Sequence, residues 1–153
     1  MKKIQFLLII LLFKSLSTSN QIEKNKILNI LAKHNYDLID QNHINASNYF
    51  SFPFSFNDNN ETKIALNERE LKKIFKKLRR NLAKDYSRSD WKKMNVKLLN
   101  DNIAIVNAMF SRINKNNESY YTGAALYSFR KTNNIWKIFS ITPFKPYNYF
   151  SFD

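Results

Sequence analysis

His34 and His43 are the two side chains that titrate near neutral pH, so they are the first candidates for acid–base chemistry. They do not form the HExxH pattern that marks a zinc hydrolase. The chain contains no cysteine, which excludes disulfides, thiolate nucleophiles and cysteine zinc sites. Gly123 is the single glycine, so a glycine-rich phosphate loop is excluded as well. The sequence therefore predicts neither a metal nor a cofactor.

His34 is the more interesting of the two histidines. It is in register with Ile27 and Leu31 on the apolar stripe of a predicted helix, which points it inward. Such a side chain could be a general base or a ligand contact. A core histidine satisfied by one hydrogen bond is the favoured interpretation, since no partner residue is visible in the sequence. His43 lies in a predicted turn and is expected to be exposed.

Aromatic and arginine side chains form the second set of candidates. A pocket lined by aromatic rings with one or two polar groups would suit a small apolar ligand. The alternative is that alternate positions build the core and the outer face of a sheet. Arg112 and Arg130 could also pair with an acid on a neighbouring strand or at a dimer surface. The predicted pocket residues are His34, Phe52, Tyr86, Trp91, Arg112, Tyr121 and Tyr127, and the wider set includes Arg88, Tyr120, Arg130 and Trp136.

The first 19 residues have the order of a secretory signal peptide. Lys2 and Lys3 precede an apolar run over 4–13, and a stretch rich in serine follows it. A spanning helix needs about 20 apolar residues, so this run is short for one. We expect cleavage after Ser17 or Ser19 and an exported protein, either periplasmic or secreted. An uncleaved segment that tethers the chain to a membrane is the alternative.

The chain is strongly basic, with 25 basic residues, 12 acidic residues and a net charge of +13. Lysine supplies 19 of the 25 basic residues, whereas nucleic-acid readers favour arginine for bidentate contacts. We therefore expect a solvated surface and no nucleic-acid partner. The predicted helix over 72–80 has a lysine- and arginine-rich face that could contact a membrane or a polyanion. A solvated helix face is the favoured interpretation of that segment.

Two helices are predicted from caps and periodicity. Asn20 and Glu23 resemble a capping pair, and helical spacing of apolar residues continues to about residue 41. A turn or a second short helix is expected over 42–47. Asn67 and Glu70 form a second capping pair. They precede an apolar stripe at Leu71, Ile74, Phe75, Leu78 and Leu82.

Strands account for most of the remaining chain. Aromatic alternation over 49–56 predicts a first strand, which Pro53 restricts to an edge or a bulge. Residues 62–66 are predicted to be the returning strand of a hairpin. Alternation over 91–99, 103–113, 119–130 and 135–142 predicts an antiparallel meander. Gly123 suggests a bulge, and Pro143 and Pro146 are expected to end the sheet. The aromatic tail over 146–153 should pack against the domain.

This order of elements resembles the nuclear transport factor 2-like superfamily, and its SnoaL-like branch in particular. The local cues are the Phe52-Pro53 step, the turn and strand over 100–106, Phe110-Ser111-Arg112, and the segment from Tyr127 to Ile138. The resemblance implies one α+β domain over 20–145, in which N-terminal helices pack on a curved antiparallel sheet. Such a cystatin-like cone has a pocket at its open end. It also implies that a homodimer through the outer face of the sheet is plausible.

The resemblance covers enzymes as well as binding proteins, so fold alone does not assign a function. Isomerase-like members carry a carboxylate base just before the first-strand proline, and here that position is Phe52. The predicted strands over 103–113 and 119–130 contain no Asp or Glu. Tyr36 could act as a helix tyrosine, and an acid such as Asp37 or Asp40 would favour the enzyme interpretation if it lined the pocket.

Three functions are therefore expected, in order of preference. The first is an exported domain that binds a small ligand or a protein and has no evident catalytic site. The second is an isomerase- or cyclase-like enzyme that acts on a small hydrophobic substrate with His34 as base. The third is a basic module that associates with a membrane or a polyanion.

Overall fold

The computed structural model describes residues 18–34 and 46–152, and these form helices packed on one six-stranded sheet. Residues 18–34 are helical (α1), and α2 (Ala46–Tyr49) and α3 (Glu68–Arg80) follow. The strands are β1 (Phe50–Asn57), β2 (Thr62–Ala65), β3 (Tyr86–Leu98), β4 (Ile103–Asn114), β5 (Ser119–Thr132) and β6 (Ile135–Phe144). A short 3-10 helix, Pro146–Asn148, ends this order. The predicted α+β class and the helix-on-sheet arrangement are confirmed.

Helix α1 places one apolar stripe on the sheet. Ile27, Leu31 and His34 are buried at the expected helical spacing, while most of the other faces are exposed. The predicted cap at Asn20 is wrong, because residues 18–20 are already helical and Asn20 lies inside the helix. Asparagine and serine disfavour a helix interior only weakly, so a two-residue cap pattern does not force a start there. The predicted end near residue 41 lies outside the described residues.

Glu23 fastens α1 to the sheet. Its carboxylate accepts hydrogen bonds from Lys26 at 2.7 Å, from the Trp136 indole at 2.6 Å and from Lys131 at 3.1 Å. The bond from Lys26, followed by those from Trp136 and Lys131, lowers the pKa of Glu23 to about 2. Because Trp136 is buried and donates from β6, this charged contact fixes where the helix lies along the sheet.

Strand β1 lies in the second position of the sheet, which has the order β2-β1-β6-β5-β4-β3. Of the two alternatives predicted from Pro53, an edge position or a bulge, the structure shows the bulge. The pairing of β1 with β6 shifts register between Phe50 and Ser55, and Pro53 lies in that interval. The β1–β6 pair is parallel, so the sheet is mixed and not wholly antiparallel. Only this long-range pairing departs from the predicted antiparallel arrangement.

Strands β3 to β6 form the predicted antiparallel meander. All four strands are longer than predicted. The largest difference in length is in β3, which begins at Tyr86 and not at residue 91. Pro143 lies inside β6, so the prediction that it ends the sheet is wrong. Its position is beyond Ile141, the last residue of β6 paired with β1. A proline, which has no backbone N–H, is tolerated there because β6 does not pair with β1 beyond Ile141.

Gly123 does not form the predicted bulge. It pairs in regular register with Phe110, and the register shift of β5 falls instead between Tyr121 and Ser119. A Cβ atom at residue 123 would lie 2.7 Å from Phe110 Cζ and 2.7 Å from Tyr121 Cε1. Because residue 123 has no side chain, the Phe110 and Tyr121 rings can lie against the backbone of β5.

Helix α3 confirms the second predicted cap and stripe. The Asn67 side chain accepts from the Glu70 amide at 3.1 Å, and the Glu70 carboxylate accepts from the Leu66 amide at 2.8 Å. Leu71, Ile74 and Phe75 are buried against the sheet. Leu82 lies just past the end of the helix and borders the cavity described below.

The aromatic tail packs on the outer face of the sheet, as predicted. The Asn107 side chain donates to the Phe150 carbonyl, and Asn95 donates to Ser151 at 2.8 Å. The Phe150 ring centre lies 6.5 Å from that of Phe144 and 5.2 Å from that of Phe152. The tail thus covers part of the surface through which the resemblance implies dimer formation. A homodimer through that face stays a prediction.

We predict that Phe150→Ala destabilises the protein by about 1–3 kcal/mol, because it removes two aromatic contacts that hold the tail on the sheet. Urea denaturation followed by circular dichroism measures the change. Tyr147→Ala is the matched control, since Tyr147 is 81% exposed in the same tail and should change stability by less than about 0.5 kcal/mol. Equal stability of the two variants would show that the tail is not held by Phe150.

Candidate functional site

One cavity of about 380 Å³ opens between the inner face of the sheet and helix α3. Six of the seven predicted pocket residues line it, and the exception is Phe52. That side chain packs against the hydrophobic core and does not border the cavity. The predicted residues around the cavity are His34, Tyr86, Trp91, Arg112, Tyr121 and Tyr127. The structure therefore brings them together, and their role in binding remains a proposal.

Sequence reasoning missed the other lining residues. The apolar ones are Phe56, Phe75, Leu78, Leu82, Phe110, Ala124, Ala125, Ile141 and Pro143, and the polar ones are Asp58, Arg79, Asn81 and Ser89. Phe110 could have been found, because it alternates with Arg112 on β4 and faces the single glycine of the chain. Asp58 and Arg79 could not, since their approach depends on how the hairpin and α3 pack together.

His34 lines the cavity from the end of α1. It is 5% exposed, and its ring centre lies 5.0 Å from that of Phe50, 5.9 Å from that of Phe75 and 6.2 Å from that of Tyr49. The imidazole therefore belongs to an aromatic cluster of the core and borders the cavity at the same time. This placement agrees with the predicted inward direction and leaves both of its predicted roles possible.

Trp91 and Tyr127 form the aromatic wall. The Trp91 ring stands edge-on to Tyr127 at 6.0 Å and to Phe110 at 6.1 Å between ring centres. Burial raises the pKa of the Tyr127 hydroxyl above its usual value, and the nearby Arg112 charge opposes this shift. Tyr127 is therefore a neutral hydroxyl at physiological pH and can serve a ligand as a hydrogen-bond donor.

Arg112 reaches the cavity from β4. Its guanidinium carbon lies 4.4 Å from the centre of the Tyr121 ring and 5.7 Å from that of Phe110. Within the described parts of the chain it forms no ion pair, so the predicted pairing with an acid is not found there. Arg130 instead lies against Phe139 at 4.7 Å and is not among the cavity residues.

Four further aromatic or arginine candidates do not border the cavity. Arg88 binds Asp90 at 3.0 Å and Asn117 at 2.8 Å, and Trp136 binds Glu23. Tyr120 is 40% exposed and lies at the register shift of β5. These residues, like Arg130, support the sheet and its loops. A ligand-binding role in this cavity is therefore not proposed for these four.

Asp58 is the one carboxylate that lines the cavity in residues 18–34 and 46–152. Lys63 donates to it at 2.6 Å, and the amides of Asn60 and Glu61 donate at 2.9 Å and 3.2 Å. The Lys63 bond, followed by the two amides, lowers the pKa of Asp58 to about 2. A carboxylate held in this way is a weak base near neutral pH. Asp37 and Asp40, the acids named from the sequence, lie outside the described residues, as does Tyr36.

The basic face of α3 is partly paired. Lys72 binds Glu68 at 2.7 Å, Lys77 lies 3.7 Å from Glu61, and Arg79 lies over the Tyr86 ring at 5.3 Å. These contacts reduce the number of cations that an external polyanion would meet. Contact of this face with a membrane or a polyanion stays a prediction.

The described residues include neither a metal-binding cluster nor a helix able to span a membrane. No group of three or more His, Asp and Glu side chains lies close enough to hold a metal ion within the described ranges. Among the helices described there, none combines the length and apolar character needed to cross a bilayer. Residues 1–17 of the predicted signal segment lie outside the described residues, and the signal peptide stays a prediction.

Comparison with known proteins supports the fold. The family model described as NTF2-like protein (DUF6841) matches residues 34–146, which is more than half of the chain. No curated protein sequence gives a significant match. The chain is similar to a Nostoc punctiforme protein of unknown function with a cystatin-like fold. That likeness has 16% identity and a TM-score of 0.68, and it covers 80% of this chain and 90% of the other.

Two similar structures carry the names of enzymes. A proposed scytalone dehydratase from Novosphingobium aromaticivorans is 15% identical, with a TM-score of 0.62, and the match covers 83% of this chain and 86% of that one. A proposed ketosteroid isomerase from Shewanella frigidimarina is 12% identical, also with a TM-score of 0.62, over 78% and 94% of the two chains. At these identities the likeness shows the shared fold alone.

We predict that the Asp58 carboxyl titrates near pH 2, well below its ordinary value of 3.8. The stabilisation from its ion pair is then complete above pH 3.8 and is lost as the pH falls towards 2. Carbon-detected NMR of the carboxyl group measures the midpoint. Lys63→Met should return the midpoint towards 3.8, whereas Lys77→Met should leave it unchanged, because Lys77 approaches Glu61 and not Asp58. A midpoint near 3.8 in the unaltered protein would contradict the proposed pairing.

Proposed function

Since residues 34–146 match its model, the chain belongs to the family of NTF2-like proteins (DUF6841), and we propose that its cone cavity binds a small, mainly apolar molecule. The observation that carries the proposal is a cavity of about 380 Å³ beside the hydrophobic core of the domain. Protein interiors rarely leave such space unfilled, and ligand pockets span about 300–1,000 Å³. NTF2-like folds commonly bind small hydrophobic ligands.

The composition of the walls supports an apolar ligand with one polar end. Trp91, Phe110 and Tyr127 present a continuous aromatic surface, and apolar side chains from α3 and β6 continue it. Burial of a ligand ring there gains about 25 cal/mol for each Å² of apolar surface removed from water.

The proposed activity is binding without conversion. Proton transfer next to a carbonyl needs a positioned base whose pKa lies near the working pH. Asp58, the carboxylate found at the cavity among the described residues, is held ionised by Lys63 with a pKa of about 2. Phe52 occupies the position at which isomerase-like relatives carry their base, and its side chain packs in the core.

A neutral environment-sensitive dye, N-phenyl-1-naphthylamine, tests the proposed binding. We expect its fluorescence to rise on addition of the protein and the affinity to fall at least tenfold, by about 1.4 kcal/mol or more, in Leu82→Trp. Leu82 borders the cavity, so a larger side chain there should fill part of it. Leu99→Trp is the matched control, since Leu99 is 52% exposed and does not border the cavity. Equal affinity in the two variants, or no binding at all, would refute binding in this cavity.

An isomerase- or cyclase-like enzyme is the second candidate, and one observation favours it. His34 and Tyr127 both line the cavity, so an imidazole base and a tyrosine proton donor could act on the same substrate. In this case the bound molecule would be converted by the unaltered protein. Conversion should then be lost in His34→Gln while the molecule still binds, whereas the binding proposal expects no conversion by either protein.

We also propose that the protein is exported after removal of a signal peptide. The support is the charged, apolar and small-residue order of residues 1–19. Intact mass spectrometry of protein from its own exported fraction should show a mass below the 18.3 kDa of the full chain, with cleavage after Ser17 or Ser19. Leu8→Arg, which interrupts the apolar run, should prevent export. An exported protein of full mass would instead indicate a membrane tether.

A further inference from the structure

Arg112 is a half-buried cation at the cavity wall. It projects from β4 opposite Tyr121 of β5, and its guanidinium carbon lies 4.4 Å from the centre of that ring. No carboxylate or hydrogen-bond acceptor within residues 18–34 and 46–152 pairs with it. The Tyr121 ring contacts the flat face of the guanidinium and stabilises its charge. The N–H donors at the edge of the guanidinium are therefore available to a ligand.

The cavity carries an excess of positive charge. Arg79 and Arg112 both border it, whereas Asp58 is the one carboxylate that lines it in residues 18–34 and 46–152. Asp58 also binds Lys63 at 2.6 Å, and Lys63 is shared with Glu61 at 2.8 Å. Arg112 and the buried Tyr127 line the same cavity. A ligand that enters this cavity therefore meets an apolar wall and an uncompensated guanidinium within the same small volume.

We infer that the ligand is a small aromatic monocarboxylate, whose carboxylate is held by Arg112 and whose ring lies against Trp91 and Phe110. This inference rests on the proposed binding function. The planar fork of arginine matches a carboxylate through two parallel hydrogen bonds. A dianionic phosphate would place two negative charges against walls that are largely apolar, whereas a monocarboxylate carries one charge and an apolar ring that suits those walls.

The test compares two probes of the same shape, 3-phenylpropanoate and the neutral 3-phenylpropanamide. Isothermal titration calorimetry on the full chain should show the acid binding about tenfold or more tightly than the amide, as expected for charge-assisted hydrogen bonds. Arg112→Gln should abolish this preference, so that the acid and the amide bind with equal affinity. Arg130→Gln is the matched control, since Arg130 also lies over an aromatic ring but does not border the cavity.

Each outcome separates this inference from the proposed function. Equal affinity of acid and amide for the unaltered chain overturns the carboxylate inference, while binding of the neutral dye would keep the cavity as a binding site. If neither probe nor the dye binds, both proposals fail. The comparison of acid and amide needs no variant, so it remains decisive even if Arg112→Gln does not fold. Loss of the preference in Arg130→Gln as strongly as in Arg112→Gln would also overturn the inference.

Discussion

The difference in length between strands and helices is the constraint on which the site depends. A strand of 13 residues such as β3 extends over about 43 Å, whereas the 13 residues of α3 extend over about 20 Å. One short helix therefore cannot cover the inner face of the sheet along its whole length. Ile27 and Leu31 of α1 fill one part of that face, and the part near Tyr86 and Arg112 remains open as the cavity.

Small residues on β5 keep the open part of the sheet face unfilled. Gly123 lets the Phe110 and Tyr121 rings lie against β5, and Ala124 and Ala125 continue the small side chains along the same strand. Larger residues at these positions would fill the volume between the sheet and α3. The cavity is thus a product of side-chain size on β5 as much as of helix length.

Charge then gives the cavity its chemical character. Asp58 and Lys63 neutralise each other at one side, while Arg112 rests on an aromatic ring without a carboxylate among the described residues. Because the same fold serves enzymes and binding proteins, these local differences, and not the fold, carry the functional argument. They favour recognition of an anionic, aromatic molecule over abstraction of a proton by a carboxylate.

The sequence by itself determined the local features of this protein. Alternation located five of the six strands and the predicted hairpin located β2. The Asn67 cap located α3, and six of the seven named pocket residues border one cavity. Tertiary structure alone decided the parallel pairing of β1 with β6, the approach of Asp58 to the cavity and the spatial role of Gly123. The physical reason is that periodicity and caps report contacts between near neighbours in the chain. Pairing between β1 and β6 joins residues more than 80 positions apart, such as Ser55 and Ser140, and depends on how the whole sheet packs.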